Sequence, residues 1–483
     1  MTQPSPSHGA KHLAFFILFS ICLAFALTST TTGCSTPVNN ETTKDSGTPD
    51  ESTTKEKAEE PTQEETAEEP KQEEPTQEET AEEPKQEEPS KNDAGPADDI
   101  VKEDPPKDEP TQPQDQMAFV LSRQGQTGFF GTIDTKTQTA KVQLGSTHSD
   151  AFMRYWNGYI FVVNRLGADN IQAMNAKDFS LVRQYSTGSK SNPYDIAIVD
   201  KNKAYISRYA LASILIVEPL TGKKLGEVDL TDLIEVDDTK TCATDNECSA
   251  SKKCVSGKCA RDGIPEAGLM HLYKDKLFVL IQRLDRNQQF KAFDGSYIAV
   301  IDTTTDKVIK KIKTKAQNPT ALFVGSDPTK LYVGETGNFS KPDFSPDLDG
   351  YIEVLDLEKQ EFTGTVLSEQ ELGGNIGSFV IAGTTGYVIR TNAKFQTEVI
   401  SFDTSTQKVG KTVVSAPCTS TTDCYTFSDI AYNKVLGEFY IADGLATAPG
   451  VRIFDGATGT EKTTKPIDMK LPPASIFFYP VQP

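Results

Sequence analysis

Four of the eight cysteines in this sequence lie within eighteen residues, at Cys242, Cys248, Cys254 and Cys259. Cysteines this close together build a zinc site, a redox centre or a disulfide-bonded loop, depending on the compartment. A structural zinc site usually contains a Cys-x2-Cys spacing, whereas these cysteines are separated by five, five and four residues. The spacing favours disulfides, and the choice depends on whether the chain is exported.

Five arginines are the second group with binding chemistry, because each lies at or just beyond the end of a short apolar run. Guanidinium groups that converge on one site bind a carboxylate, a phosphate or an acidic glycan through bidentate hydrogen bonds. The alternative, which we favour, is that they pair with neighbouring carboxylates such as Asp150, Asp195 and Asp429. The five candidates are Arg123, Arg165, Arg208, Arg283 and Arg390.

The segment PDFSPDLDG offers Asp343, Asp347 and Asp349 as oxygen ligands for calcium. The EF-hand pattern fails here because no glutamate follows at the required distance, so a polar turn is the preferred interpretation and we predict no metal.

Other catalytic chemistry is poorly represented. Outside the first 33 residues the histidines are His148 and His271, too few for copper or haem ligand sets, and no Gly-x-Ser-x-Gly or phosphate-binding glycine motif occurs. We predict no cofactor and no catalytic residue, and expect His271 to be a packed strand residue. A lactonase-like hydrolase that uses carboxylates at a channel mouth is the alternative.

The N-terminus indicates the compartment. The run LAFFILFSICLAFAL, residues 13–27, suits the apolar core of a secretory signal and is too short to span a bilayer. The stretch TSTTTGCSTP around Cys34 resembles the lipobox of bacterial lipoproteins, with Thr31 where that family has an aliphatic residue. The resemblance implies a signal peptide over 1–33, lipidation of Cys34 and, since Ser35 follows, a place in the outer membrane. Ordinary cleavage and secretion is the alternative.

Export decides how the cysteines are interpreted. With Cys22 in the signal and Cys34 lipidated, six cysteines remain. An even set of cysteines in an exported chain should oxidise to disulfides, and a zinc site is the lesser alternative. Cys418 and Cys424 should close a small ring of their own. The pairing among the other four is left open by the sequence.

Residues 34–116 have the composition of a disordered linker rich in Glu and Pro, in which the unit EEPTQEETAEEPKQ occurs twice in succession. Residues 35–116 hold 27 acidic and 8 basic residues, a net charge of −19 out of the whole-chain −20. The acidity therefore belongs to the linker and not to the folded part, and nothing predicts nucleic-acid binding. We interpret the linker as a spacer that holds the folded part away from a membrane.

Residues 117–483 contain short runs of β-branched and aromatic residues separated by turn residues, which predicts an all-β domain. The runs recur seven times in a fixed order of four strands. An aromatic residue marks each second strand, and an acidic or amide residue ends each third strand. The aromatic residues are Phe119, Phe161, Tyr205, Phe278, Tyr332, Tyr387 and Tyr440, and the turn residues are Asp134, Asn175, Glu218, Asp302, Asp356, Asp403 and Asp455.

Seven four-stranded units predict a seven-bladed β-propeller. The domain starts at a second strand and ends with a lone first strand, PPASIFF, so the C-terminus should close the ring. Residues 117–483, with LYVGETGN and FVVNRLGADN, resemble the YVTN family of bacterial propellers. The motifs DNEC and SGKC, within a Cys-rich insertion at about 230–263, resemble Dickkopf-type insertions of bacterial lipoproteins.

In a propeller the loops after second and fourth strands share one face. We call it the elaborated face, because it receives the Cys242–Cys259 insertion, the Cys418–Cys424 loop and the long loops 283–295 and 335–350. The short turns fall on the opposite, plain face. We predict a lipid-anchored cell-envelope protein that binds a protein or glycan through the elaborated face. A self-assembling envelope component is a further alternative.

Overall fold

A computed structural model describes residues 115–249, 252–286, 291–292, 295–341, 345–419 and 424–480. The predicted signal peptide, Cys34, the linker up to residue 114 and Asp343 lie outside the described residues.

The described residues form seven four-stranded antiparallel sheets, which we call blades 1 to 7. Blade 1 contains β1 (Gln116–Gln124), β2 (Thr127–Asp134) and β3 (Thr139–His148), and blade 2 contains β4 (Ala151–Trp156), β5 (Tyr159–Asn164), β6 (Asn170–Asn175) and β7 (Leu181–Ser186). Blade 3 contains β8 (Pro193–Asp200), β9 (Lys203–Arg208), β10 (Ser213–Val217) and β11 (Lys224–Asp229).

Three small strands in the Cys-rich insertion are β12 (Val236–Thr241), β13 (Lys253–Val255) and β14 (Lys258–Ala260), which form one sheet. Blade 4 contains β15 (Ala267–Tyr273), β16 (Lys276–Ile281), β19 (Tyr297–Asp302) and β20 (Lys307–Lys313), with the hairpin β17 (Leu284–Asp285) and β18 (Lys291–Ala292) in its long loop. Short 3-10 turns occur at Thr231–Leu233 and Asp245–Glu247.

Blade 5 contains β21 (Pro319–Val324), β22 (Lys330–Glu335), β23 (Tyr351–Asp356) and β24 (Glu361–Ser368), and is followed by the single-turn helix α1 (Glu369–Leu372). Blade 6 contains β25 (Asn375–Ala382), β26 (Thr385–Thr391), β27 (Thr397–Asp403) and β28 (Lys408–Ser415). Blade 7 contains β29 (Phe427–Asn433), β30 (Glu438–Asp443), β31 (Gly450–Asp455) and β32 (Ile467–Asp468), and β33 (Pro473–Pro480) completes blade 1.

The hydrophobic core is divided among the interfaces between blades. Alternate residues of each strand point to opposite sides of its sheet, so each blade packs against both of its neighbours. Among the described residues there are seven apolar clusters, one between each pair of adjacent blades. Six of the seven marker aromatics are at most 1% exposed, and Tyr332 is partly buried. The aromatic residues that mark second strands in the sequence thus fill these interfaces.

The acidic or amide residue at the end of each third strand shapes the turn to the fourth strand. Asp302 shows the pattern, since its Oδ1 accepts hydrogen bonds from the backbone N–H groups of Thr304 and Thr305 at 2.9 and 3.0 Å. The fifth residue of the turn, Asp306, has a φ of 59°, in the left-handed region. Such a side chain stabilises its turn by bonding backbone two and three residues further on.

The ring closes as the sequence predicts, which confirms the all-β propeller closed by the C-terminal strand. The last strand, β33, pairs antiparallel with β1, with Met117 opposite Tyr479 and Val120 opposite Ile476. The innermost strands then contact one another in a continuous circle, in the order β33, β4, β8, β15, β21, β25, β29 and back to β33. The chain enters β1 at Gln116, opposite Pro480, which places this end on the plain face.

Deleting residues 471–483 should lower the melting temperature sharply or prevent folding. The deletion removes β33, exposes the edge of β1 and takes away the contacts of β33 with β29 and β4. Thermal unfolding followed by circular dichroism measures the effect. A chain cut after Pro480 keeps the whole strand and is the control. A deletion variant that melts with the control would contradict closure by β33.

Candidate functional site

The two faces of the propeller differ in their loops. Loops that follow second strands or fourth strands lie together, because backbone hydrogen bonds join each of the former to one of the latter. Examples are Arg165 N to Asp150 O at 3.3 Å, Gln282 N to Glu266 O at 3.2 Å, Thr336 N to Asn318 O at 3.1 Å and Gly444 N to Thr426 O at 2.8 Å. All four long segments predicted for the elaborated face follow a second strand or a fourth strand.

Disulfides brace two of these segments, as the sequence predicts. The structure resolves the open pairing by joining Cys242 to Cys254 and Cys248 to Cys259, and it joins Cys418 to Cys424. Three sulfur atoms of the first group lie within 4.8 Å of one another, because the two disulfides are adjacent. A sulfur engaged in a disulfide is not a thiolate ligand, so the structure favours the disulfide interpretation over zinc.

A buried ionic cluster fixes the Cys-rich insertion to the loop 283–295. Glu266 is fully buried, and its carboxylate accepts from Leu284 N at 2.8 Å and from Arg286 Nε at 3.0 Å. Asp262, at the end of the insertion, accepts from Arg286 N at 2.9 Å. The Arg286 guanidinium also donates to Tyr209 O at 2.8 Å. Burial raises the pKa of Glu266 to about 8, although the charge of Arg286 opposes the shift.

Four of the five candidate arginines are held by neighbours within the propeller. Arg165 pairs with Asp150 at 2.5 Å and Arg208 pairs with Glu227 at 2.7 Å. Arg283 donates to Gly295 O at 2.7 Å, and Arg390 bonds both Leu372 O and Glu398.

Arg123 differs from the other four. It is partly buried, and burial lowers the pKa of its guanidinium while the charge of Asp150 opposes that shift. Three of the five candidates, Arg165, Arg208 and Arg390, thus pair with a neighbouring carboxylate, which is the role that the sequence favours.

The remaining predicted carboxylates also serve the fold. Asp347 accepts from Ser340 N at 2.8 Å, and Asp349 accepts from the backbone and side-chain amides of Asn338, each at 2.8 Å. Both therefore hold the loop 335–350 in shape.

Asp195 and Asp429 lie on inner strands and join neighbouring blades. Asp195 accepts from Met270 N at 2.8 Å, and Asp429 accepts from Ile476 N at 2.9 Å. Each also accepts from the N–H of the residue that follows it, and each begins the sequence Asp-Ile-Ala. The two aspartates therefore make the same inter-blade bond in blades 3 and 7.

A pair of carboxylates, Glu335 and Glu353, is buried near the elaborated face of blade 5. Glu335 is fully buried and Glu353 is 5% exposed. Their carboxylates accept from Ala316 N at 2.7 Å and Lys315 N at 2.9 Å. Burial, together with the charge and hydrogen bond of Glu353, raises the pKa of Glu335 well above its usual value. The pair therefore holds a proton in a range where exposed glutamates are ionised.

The channel enclosed by the inner strands contains a charged residue, Arg154, that the sequence patterns did not reveal. The inner-strand residue directly opposite each marker aromatic belongs to one layer of the channel. The seven residues are Arg154, Ala197, His271, Phe323, Val380, Ala431 and Phe477. The strand register would have revealed Arg154 from the sequence. Arg154 and His271 are the two basic members of this set of seven, and the other five are apolar.

Arg154 lies at the boundary of two cavities in the channel. The cavity toward the plain face has a volume of about 350 Å³, and the second has a volume of about 300 Å³ and includes Asp429. The Arg154 guanidinium donates to Asp195 at 2.7 Å and lies 4.5 Å from the ring centre of Phe152. His271 is partly buried and lines the first cavity. Burial, with the charges of Arg154 and Lys434, lowers its pKa to about 4, so the imidazole is neutral near pH 7.

Comparisons with known proteins give structural likeness only. No protein-family model matches the chain, and no curated protein sequence is similar enough to count as a relative. Among solved structures, apo AztD from Citrobacter koseri is 12% identical with a TM-score of 0.45, over 76% of this chain and 98% of that one.

A putative 6-phosphogluconolactonase from Bacteroides fragilis is 14% identical with a TM-score of 0.48, over 77% of this chain and all of that one. The Dos1 propeller is 11% identical with a TM-score of 0.44, over 75% and 86%. Within the described residues, the structure has no helix with the length and apolar character needed to cross a membrane.

Replacing Glu335 with Gln should make stability less sensitive to alkaline pH. A glutamate whose pKa is raised on folding contributes most below its unfolded pKa and progressively less as pH rises through the folded value. The amide introduced by this substitution would still accept from Ala316 N and would donate to Glu353 without needing a proton. We expect E335Q to exceed the wild type at pH 8 by about 1 kcal/mol or more in the free energy of unfolding.

Urea unfolding at pH 5 and pH 8 measures this difference. The control is E358Q, since Glu358 is an exposed carboxylate paired with Lys274. An E335Q protein that loses as much stability as the wild type between the two pH values would show that the pair does not hold an extra proton.

Proposed function

We propose that this protein is a lipid-anchored component of a bacterial cell envelope whose propeller binds a protein or glycan partner through the elaborated face. One observation carries the proposal. The long loops and both disulfide-braced segments emerge on one face, and the chain joins the propeller at Gln116 on the opposite face. A tether attached there leaves the elaborated face directed away from the point of attachment. The proposed partner is a protein or a glycan.

The internal bracing of the elaborated face supports a binding role. Disulfides, the Asp262–Glu266–Arg286 cluster and the bonds of Asp347 and Asp349 all restrict the loops before any partner arrives. Preorganised loops lose less conformational entropy when they bind. The same bonds occupy the carboxylates that a lactonase-like hydrolase would direct at a substrate, and for this reason we prefer a scaffold.

The anchor is a separate part of the proposal. The resemblance of the sequence around Cys34 to a lipobox supports lipidation there, with residues 34–116 as spacer and the outer membrane as location. The YVTN-type and Dickkopf-like resemblances remain sequence-based predictions that fit this setting. Self-assembly through the elaborated face is the form the proposal takes if the partner is a second copy.

The intact mass of protein purified from its native membrane tests the anchor. We expect a chain that starts at Cys34 and carries acyl groups, with a gain of about six hydrogens on reduction of three disulfides. A chain without acyl groups that starts elsewhere would make the protein secreted. It would leave the binding face to be tested on its own.

Photocrosslinking in intact cells tests the face. Asn246, in the Cys-rich insertion, and Asn202, in a plain-face turn of blade 3, are both exposed asparagines. A photoreactive amino acid at position 246 should give a discrete crosslinked product, whereas the same substitution at 202 should not, because the partner contacts only the elaborated face. Digestion with glycosidase or protease then assigns the product. Equal crosslinking from both positions, or crosslinking from 202 alone, would contradict the proposal.

A further inference from the structure

We propose that the plain-face end of the central channel binds a small organic carboxylate with an aromatic ring. This site goes beyond the proposed function, because it lies at the opposite end of the propeller and needs no macromolecular partner. The observation behind it is a cavity that combines apolar walls with cationic groups whose hydrogen-bonding capacity is only partly used.

The cavity has the dimensions of a small-molecule site. Its volume is about 350 Å³, within the range of roughly 300–1,000 Å³ that is typical of ligand pockets. Inner strands of four blades, β4, β8, β15 and β21, supply most of its wall. Aromatic and large aliphatic side chains form the lining, including Tyr155, Trp156, Met270, Leu272 and Phe323. Such walls suit a planar ring of about the same size as their own side chains.

Arg154 brings a permanent positive charge to the wall of this cavity. Its Nη2 donates to Asp195, and among the described residues its Nε and Nη1 have no protein acceptor. The Asp195 carboxylate already accepts three hydrogen bonds, from Ile196 N, Met270 N and Arg154. Arg154 is therefore fixed in place by one bond and keeps donors for a second anion.

His271 is the second polar group on the cavity wall. Within the described part of the chain its imidazole has no hydrogen-bond partner, although it is partly buried. Because the imidazole is neutral near pH 7, one ring nitrogen donates and the other accepts. A carboxylate oxygen would give it an acceptor, and the negative charge would offset the two positive charges that lower its pKa.

Lys434 supplies a third polar group, at the opening of the cavity toward the plain face. From the plain-face turn of blade 7 it reaches to blade 5, where its Nζ donates to Val324 O at 3.0 Å and Gly325 O at 3.3 Å. The Nζ lies 6.0 Å from the ring centre of Phe323. No carboxylate of the described residues is within ion-pair distance of this ammonium, and burial lowers its pKa. Two carbonyl oxygens hold Lys434 without neutralising it.

These groups define the ligand chemistry. The described lining residues include no carboxylate, so the cavity favours an anion over a cation or a neutral molecule. The apolar walls favour an organic body over a free inorganic ion. An aromatic monocarboxylate meets both requirements, with its ring against the walls and its carboxylate toward Arg154, His271 and Lys434.

The sole tryptophan of the chain, Trp156, lines the cavity and provides a direct readout. Benzoate added to the mature full-length protein should change tryptophan emission with a saturable, single-site curve. Benzamide, which has the same ring without the charge, should bind at least about tenfold more weakly. K434M should weaken benzoate binding roughly fivefold, and R154Q more, because each removes a positive charge.

K310M is the matched control, because Lys310 is an exposed lysine on the outer strand of blade 4, away from the cavity. It should bind benzoate as the wild type does. Should R154Q fail to fold because Asp195 loses its partner, K434M decides the test. Equal binding of benzamide and benzoate, an unchanged affinity in K434M, or inorganic phosphate competing as well as benzoate would each overturn the proposal. The crosslinking pattern of the elaborated face would be unaffected by any of these results.

Discussion

The fold depends on one constraint, which is that a ring of sheets has to bring the last strand to the first. The ladder between β33 and β1 joins residues more than 350 positions apart in sequence and removes the open edge that blade 1 would otherwise present. The same strand completes the circle of inner strands around the channel, and its residues Ser475, Ile476 and Phe477 line the cavity that includes Asp429. Ile476 N of β33 donates a hydrogen bond to Asp429 of blade 7, which joins the closing strand to its other neighbour.

The antiparallel arrangement of strands explains why the two faces differ. In six of the seven plain-face connections between third and fourth strands, the side chain of the first turn residue accepts a hydrogen bond from the backbone two residues further on, and such a turn leaves little room for insertion. In blade 3, Glu218 accepts from the side chain of Thr221 instead. The elaborated face joins second to third strands and one blade to the next, where neither turn geometry nor strand register fixes the length of the connection. Buried carboxylates then accept backbone N–H groups of these longer loops, Glu266 from Leu284 N in the loop 283–295 and Glu369 from Gly350 N in the loop 335–350. Burial raises the pKa of Glu369 to about 7, against its usual acidic value.

The sequence predicts the framework well because the framework is periodic. The marker aromatics are buried between blades because each repeat places them on the central part of a second strand. The turn residues could be recognised because they bond residues next to them in sequence. The arginines are different. Their position at strand ends is visible in the sequence, but the partner of Arg208 is on the fourth strand of its own blade and that of Arg390 is partly the backbone of α1. The disulfide pairing was open for the same reason, since the spacing of Cys242 to Cys259 permits every arrangement.

The channel could not be predicted by the same reasoning, because it is built from one residue of each repeat. Arg154 and His271 are separated by more than a hundred residues, and each looks like an ordinary member of its strand. They meet because both lie opposite a marker aromatic, Phe161 and Phe278, and so occupy the same layer of the ring. A propeller therefore has two independent ways to carry function: loops can lengthen on one face without disturbing the strands, and single inner-strand positions can change polarity without altering the pattern that specifies the fold. In this chain the long loops and the cavity beside Arg154 and His271 lie toward opposite ends of the same axis, which is why the proposed ligand and the proposed partner need not compete.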